Sequence, residues 1–302
     1  MLEIWIPITI AAAFFQNLRS ALQKFLKGKL SNAGAAYARF FYAWPFALLY
    51  LWGLNAIGGL PLPEPNLKFL MYCVFGGISQ ILFTVILLWM FSFRNFAVGT
   101  TFSKLELVMI AALGALILGD GLSLTAIIAV ALSALGVVIL SAGQSAITLK
   151  TLTANLVAKP TLIGLTSAVF LGGSVVFFRG AALSLGHDNV TMTAAYALAV
   201  SIVIQTVVMG AYLLWREPGE IGRVITNWRW AGAVSVVGVL GSVCWFTAFT
   251  IENAAHVRAV GQIELVFTFI ASVVFFKETV SKLEILGIIL VVGAILLVLF
   301  AG

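Results

Sequence analysis

Residues 102–120 read FSKLELVMIAALGALILGD and residues 260–278 read VGQIELVFTFIASVVFFKE, and these two stretches decide the fold. Each sets a glutamate, Glu106 or Glu264, inside an apolar run that an acid closes fourteen positions later, at Asp120 or Glu278. They keep one register, since 264 minus 106 and 278 minus 120 both give 158. In each copy a second apolar helix follows, LTAIIAVALSALGVVIL from Leu124 and LEILGIILVVGAILLVL from Leu283, and stops at small residues, Ala142 with Gly143 and Ala301 with Gly302. An offset close to half of 302 residues is what duplication of one unit leaves behind.

Composition places the chain in a membrane. It is 62% hydrophobic and only 9% charged, with a mean hydropathy of +1.12, whereas about a quarter of the residues of soluble domains are charged. The net charge of +6 would suggest nucleic acid in a soluble protein, but here the cations must be read by position, and no nucleic-acid partner is expected. Cys73 and Cys244 both fall in apolar runs, as small buried hydrophobes do, and His187 and His256 are the only histidines. No metal motif and no phosphate-binding GxxxxGK[ST] loop occurs, so no cofactor is expected. The opening MLEIW has an acid where a secretory leader would carry a cation, so Met1 onward is read as mature protein.

About twenty apolar residues at about 1.5 Å each cross a hydrocarbon core of about 30 Å. Ten runs of that kind are present: 4–23, 33–54, 69–91, 98–118 and 122–142, then 161–183, 190–215, 230–251, 257–276 and 283–301. Lipid offers no partner for a free backbone amide, and the runs lack the alternation of a barrel strand, so each is expected to be a helix. The fold class is therefore an all-α membrane protein of ten transmembrane helices, a five-helix repeat over 1–145, a linker at 146–160 ended by Pro160, and a second repeat over 161–302. The glycines at Gly76, Gly77, Gly172, Gly173, Gly238 and Gly241 suit close helix packing.

Loop charge gives an orientation. Odd-numbered connections hold eleven lysines and arginines and even-numbered ones only Lys68, which places the odd connections in the cytoplasm and both termini on the other side. An odd helix count per repeat then inverts the second half relative to the first. Inverted repeats recur in transporters that rock two halves about a midplane site, so a central cavity is expected.

Seven ionisable residues lie within the runs: Arg19, Arg39, Lys104, Arg179, Arg258, Glu106 and Glu264. A charge at mid-helix costs about 2.5 to 3.5 kcal/mol on insertion scales, so each is a candidate for function. Two bland readings stand beside that one: Arg179 and Arg258 are near enough to run ends to snorkel, and either glutamate can simply neutralise an arginine. Gln16, Arg19 and Gln23 share one face of the first run, whereas Lys104 and Glu106 are about 200° apart and cannot pair along their helix. Gln80 and Gln262 add polar atoms, and Tyr196, Gln205 and Trp245 can supply amphipathic walls. Five cations against two anions favour an anionic or zwitterionic small molecule over a lipophilic cation.

The ELVMIAALGALILGD unit with its following helix, and ELVFTFIASVVFFKETVSKLEILGIILVVGAILLVL, resemble the drug/metabolite transporter superfamily in its EamA-domain branch, over nearly the whole chain. The resemblance implies ten helices around a central cavity that moves amino acids, related metabolites or xenobiotics across the bacterial inner membrane, often outward and driven by a gradient. Members often carry proline straight after the glutamate; this chain has Leu107 and Leu265, so no proline kink is expected there. Members are also commonly drawn with cytoplasmic termini, which the loop charges here oppose.

The resulting expectation is a secondary transporter, an exporter, and not an enzyme, acting as a monomer or homodimer. Arg19, Arg39 and Lys104 would hold the anionic group of an amino acid or organic acid, with Arg179 and Arg258 as weaker candidates, and Gln16, Gln80 and Gln262 fixing its orientation. Tyr196 and Trp245 would wall the site, while Glu106 and Glu264 balance charge or take up a coupling proton. The competing readings are a multidrug or cation exporter and a membrane scaffold or receptor that transports nothing.

Overall fold

The computed structural model describes residues 3–23, 26, 29–90, 102–144, 157, 159–274 and 281–301, and every regular element among them is a helix. In chain order these are α1 (Trp5–Gln23), α2 (Asn32–Phe41), α3 (Ala43–Ala56), α4 (Leu67–Met90), α5 (Glu106–Leu113) with a π-turn (Gly114–Leu118), α6 (Leu124–Gln144) and α7 (Lys159–Ser184). They continue with α8 (Val190–Arg216), α9 (Glu220–Thr226), α10 (Trp228–Ile251), α11 (Ala254–Gly261), α12 (Ile263–Val274) and α13 (Lys282–Ala301). Six of them, α4, α6, α7, α8, α10 and α13, are long and apolar enough to cross a membrane among the described residues. Exposed apolar side chains such as Trp52, Val207, Leu214 and Ile289 are the surface that lipid covers.

Three of the runs read as single helices are interrupted. The run at 33–54 breaks at Tyr42, which has φ −93° and ψ −5°. Pro45 is the cause: it has no N–H for the Phe41 carbonyl, and its ring collides with that carbonyl if the helix continues. The run at 98–118 enters α5 through a turn at Lys104 and Leu105, and the run at 257–276 breaks at Gln262, between α11 and α12. At these two breaks three-residue hydrogen bonds replace the helical ones, Leu105 N–H to Phe102 O at 3.1 Å and Gln262 N–H to Ala259 O at 3.2 Å. Lys104 and Gln262 are 158 apart, so both copies break at one register, just before the glutamate. The helix is thus interrupted without proline, and before the glutamate instead of after it, a break that the reading of Leu107 and Leu265 did not address. The segment 91–101 lies outside the described residues.

The chain folds into two compact units, one of Met1–Ile81 with Phe177–Glu252 and the other of Leu82–Val176 with Asn253–Gly302. These units do not coincide with the two sequence halves; each draws on both. In the first unit α1 lies along α10, and α2 and α3 pack on α8 and α10. Its core includes Leu26, Tyr37, Met209, Leu213, Val224 and Val234. Close approach depends on glycine: a Cβ on Gly76 of α4 would stand 2.6 Å from the Phe178 ring.

One end of this unit is tied by polar contacts. Ser31 caps α2, its hydroxyl bonding the Glu217 carboxylate at 2.5 Å, and its own N–H donates to Glu220 at 2.5 Å. Arg223 donates to Glu220 at 2.9 Å and to the Lys29 carbonyl at 2.6 Å. Glu220 is buried, a satisfied acid that the sequence reading counted only as loop.

The second unit is built on α6 against α13, with α11 packed on α5. Gly136 and Gly287 let the first pair meet: a Cβ on Gly287 would be 2.6 Å from Leu140 N and 2.8 Å from Gly136 O. Backbone atoms cannot step aside as side chains do. Gly287→Ala is therefore expected to cost about 1 to 3 kcal/mol, read as a lower melting midpoint in detergent, whereas Gly53→Ala, with nothing within 4 Å, leaves it unchanged.

Candidate solute site

The candidate residues divide between the two units. Gln16, Arg19, Arg39, Gln80, Arg179, Tyr196 and Trp245 belong to the first, and Lys104, Glu106, Arg258, Gln262 and Glu264 to the second.

In the first unit Arg39 occupies the last turn of α2, where the Tyr42 break leaves carbonyls at a helix C-terminus, the end whose partial negative charge favours a cation. Arg19 reaches the same small space from α1, together with Gln16, Ser242 and Trp245. Gly238 faces both: a Cβ there would sit in ordinary contact, 3.4 Å from Arg19 Cδ and 3.9 Å from Arg39 Cγ. An adjoining space runs from Arg39 to Gln80, Gln205 and Phe246. Gln205 Nε2 donates to Gln80 Oε1 at 2.6 Å, and Trp245 Nε1 donates to Gln16 Oε1 at 3.1 Å. The Trp245 ring stacks on Phe249 with centroids 5.3 Å apart, and Phe178 faces Phe246 at 5.0 Å.

The described residues lining these two spaces include two arginines and no carboxylate. Arg39 has no ion-pair partner among the described residues; its guanidinium lies 5.4 Å from the Phe40 ring centroid. Two like charges facing one space repel, and an anionic group placed between them removes the repulsion. The space is small, about 20 Å³ beside Gln80 and about 10 Å³ beside Trp245 for the centre of a water-sized sphere. That holds a water or two, so admitting a metabolite requires the surrounding helices to part.

Arg179 and Tyr196 are used differently. Arg179 donates to the backbone carbonyls of Phe249 and Glu252 and so binds the C-terminal end of α10, where helical carbonyls lack intrahelical donors. The snorkelling anticipated for it is replaced by this cap. Tyr196 packs on Phe69 with ring centroids 5.5 Å apart, in a cluster with Cys73 and Ala181.

In the second unit Arg258 is buried and does not snorkel. Its Nε donates to Glu106 Oε1 at 2.8 Å and its Nη2 to the same oxygen, while Glu264 Oε1 stands 3.8 Å from Nη2. All three residues are at most 7% exposed. Both carboxylates occupy first turns, of α5 and α12, where the helix dipole favours a negative charge. The bland reading of neutralisation thus describes Glu106: it fixes Arg258, whose guanidinium is taken up by two acids. Lys104 is half-buried in the turn before α5, and Gln262 is buried at the break before α12.

Sequence reasoning missed Ser242 and Gly238 as lining residues, and took Gln205 for a wall although it hydrogen-bonds Gln80. A signal existed, since 238, 241, 242 and 245 lie at i, i+3, i+4 and i+7 on one face of α10.

Apolar helices of spanning length, with unpaired apolar faces outward, define an integral membrane protein of the all-helical class. Residues 159–300 are similar to the model of the EamA-like transporter family, in line with the resemblance carried by its residues. That family is one of membrane transporters of small molecules. A solved crystal structure aligns at a TM-score of 0.71 over 98% of this chain and 96% of that one, at 13% identity, and has the same fold. Among curated protein sequences none matches this chain.

Proposed function

We propose that this chain is a secondary transporter, and not an enzyme, that moves a small anionic or zwitterionic metabolite such as an amino acid or organic acid by alternating access. Ten membrane helices in two inverted five-helix repeats form it, it lies in the bacterial inner membrane as a monomer or homodimer, and it exports. Support comes above all from one observation: Arg19 and Arg39 face a common space whose described lining includes no acid, with Gln16, Gln80, Gln205 and Trp245 as further hydrogen-bonding groups. A carboxylate carries the charge that this space lacks, and a guanidinium binds it in two-pronged geometry. A thermal-shift screen of the purified protein with amino acids, carboxylic acids and organic cations tests the reading. Stabilisation by carboxylate-bearing solutes is expected; stabilisation by organic cations alone would overturn it.

The second unit gives the competing reading its one foothold, since two glutamates on one arginine leave a formal charge of −1. We assign that charge to coupling instead. Glu106 holds Arg258, and Glu264 takes up and releases the proton. The Glu264→Gln protein is then expected to exchange solute for solute at near-normal rate while losing accumulation driven by a pH gradient. Loss of both activities together, in a folded protein, would count against the assignment. Orientation has its own test: a reporter active only in the cytoplasm, fused after Gly302, is expected to stay silent.

A further inference from the structure

A second, wider space in the first unit lies apart from the one beside the arginines. It is a groove of about 310 Å³ lined by Lys68, Met71, Tyr72 and Phe75 of α4 and by Phe177 of α7. The four α4 residues fall at i, i+3, i+4 and i+7, so they form one continuous face of the helix. Phe177 closes the side of the groove, its ring 6.1 Å from Tyr72 and 5.7 Å from Phe75, both at a tilt. Met71 and Phe75 are nearly half exposed, and so are their neighbours Leu70 and Ile78.

What covers this face follows from where it lies. Leu67–Ile86 is a candidate membrane span with only 28% of its window buried by protein, so the remainder meets the bilayer. Lys68 is the second residue of α4 and therefore stands at the end of the span, the level of lipid headgroups. Its ammonium lies 5.8 Å from the Tyr72 ring centroid, above the mouth of the groove. No other lysine or arginine occurs between Lys29 and Arg94 apart from Arg39, and an acid, Glu64, lies four residues before Lys68. An apolar groove beside a cation at headgroup level matches the two parts of a phospholipid, acyl chain and phosphate. We infer that the groove binds a phospholipid, one acyl chain lying against Met71, Phe75 and Phe177 and the headgroup phosphate on Lys68. The site is separate from the arginine-lined space, and it stands or falls independently of what the chain transports.

Native mass spectrometry of the detergent-purified full chain tests it, with dioleoyl-phosphatidylethanolamine, dioleoyl-phosphatidylglycerol and phosphate-free dioleoylglycerol offered one at a time. One phospholipid is expected to survive collision energies that strip the rest, and dioleoylglycerol is not. Lys68→Gln should cut the retained fraction at least threefold, and Met71→Trp, which fills the groove, should cut it further, both with unchanged melting midpoints; Arg216→Gln serves as the exposed-cation control. Equal retention in the control and in both groove variants, equal retention of dioleoylglycerol, or a lipid-free dimer as the bound form would each overturn the inference.

Discussion

In the Arg39→Gln protein, uptake of a carboxylate-bearing solute into proteoliposomes falls by about 30-fold or more, because a charge-assisted hydrogen bond worth roughly 2 kcal/mol is lost where water cannot replace it. The same substitution leaves the melting midpoint unchanged or raises it. Arg39 has no ion-pair partner among the described residues, and it shares its space with Arg19, so removing its charge relieves repulsion and breaks no ion pair. Arg39→Lys keeps the charge but not the planar fork and should fall between wild type and Arg39→Gln. A residue retained for packing alone would show the opposite pattern, with stability lost and flux per folded molecule kept.

The second unit predicts that opposite pattern. Glu106→Gln removes the carboxylate that accepts from both Nε and Nη2 of Arg258, leaving the guanidinium in a buried site with one acid 3.8 Å away. Breaking a buried pair in this way costs about 3 to 5 kcal/mol, which lowers the melting midpoint in detergent by roughly 10 °C. The pairing itself is tested by the double variant Glu106→Leu with Arg258→Met, in which neither partner is left charged. It is expected to recover more than half of the loss, since the two residues act as one unit. Losses that simply add would mean that the contact is incidental.

Much of the architecture can be read along the chain because hydrophobic length is a one-dimensional property. The described helices follow the predicted runs, and the 158-residue register of Glu106 and Glu264 reappears as two helix breaks at equivalent places. The breaks themselves were less legible. Proline after the glutamate was the sign looked for, while at Lys104 and Gln262 the chain turns without it; the run at 33–54 reads as one helix, although Pro45 stands four residues after the carbonyl it orphans.

The site was legible as an inventory, not as an arrangement. Helical spacing brought Gln16 and Arg19 together and kept Lys104 from Glu106, because both relations are local. It could not reveal that Arg258 reaches Glu106 across 152 positions, or that Arg179 spends its donors on carbonyls at the end of α10. Those partnerships depend on which helix faces which, and the sum of five cations and two anions conceals them. Divided by unit, the same charges become three arginines in one, two of them facing a common space and Arg179 capping α10, and two cations with two glutamates in the other.

Counterflow in proteoliposomes tests the central claim most directly: vesicles loaded with an unlabelled amino acid or organic acid that stabilises the purified protein are diluted into a trace of the same solute, labelled. Saturable, transient accumulation of label by the wild type, reduced to the level of empty vesicles by Arg39→Gln, is the result predicted. Accumulation that persists undiminished in a folded Arg39→Gln protein, or that occurs only with organic cations, would contradict it.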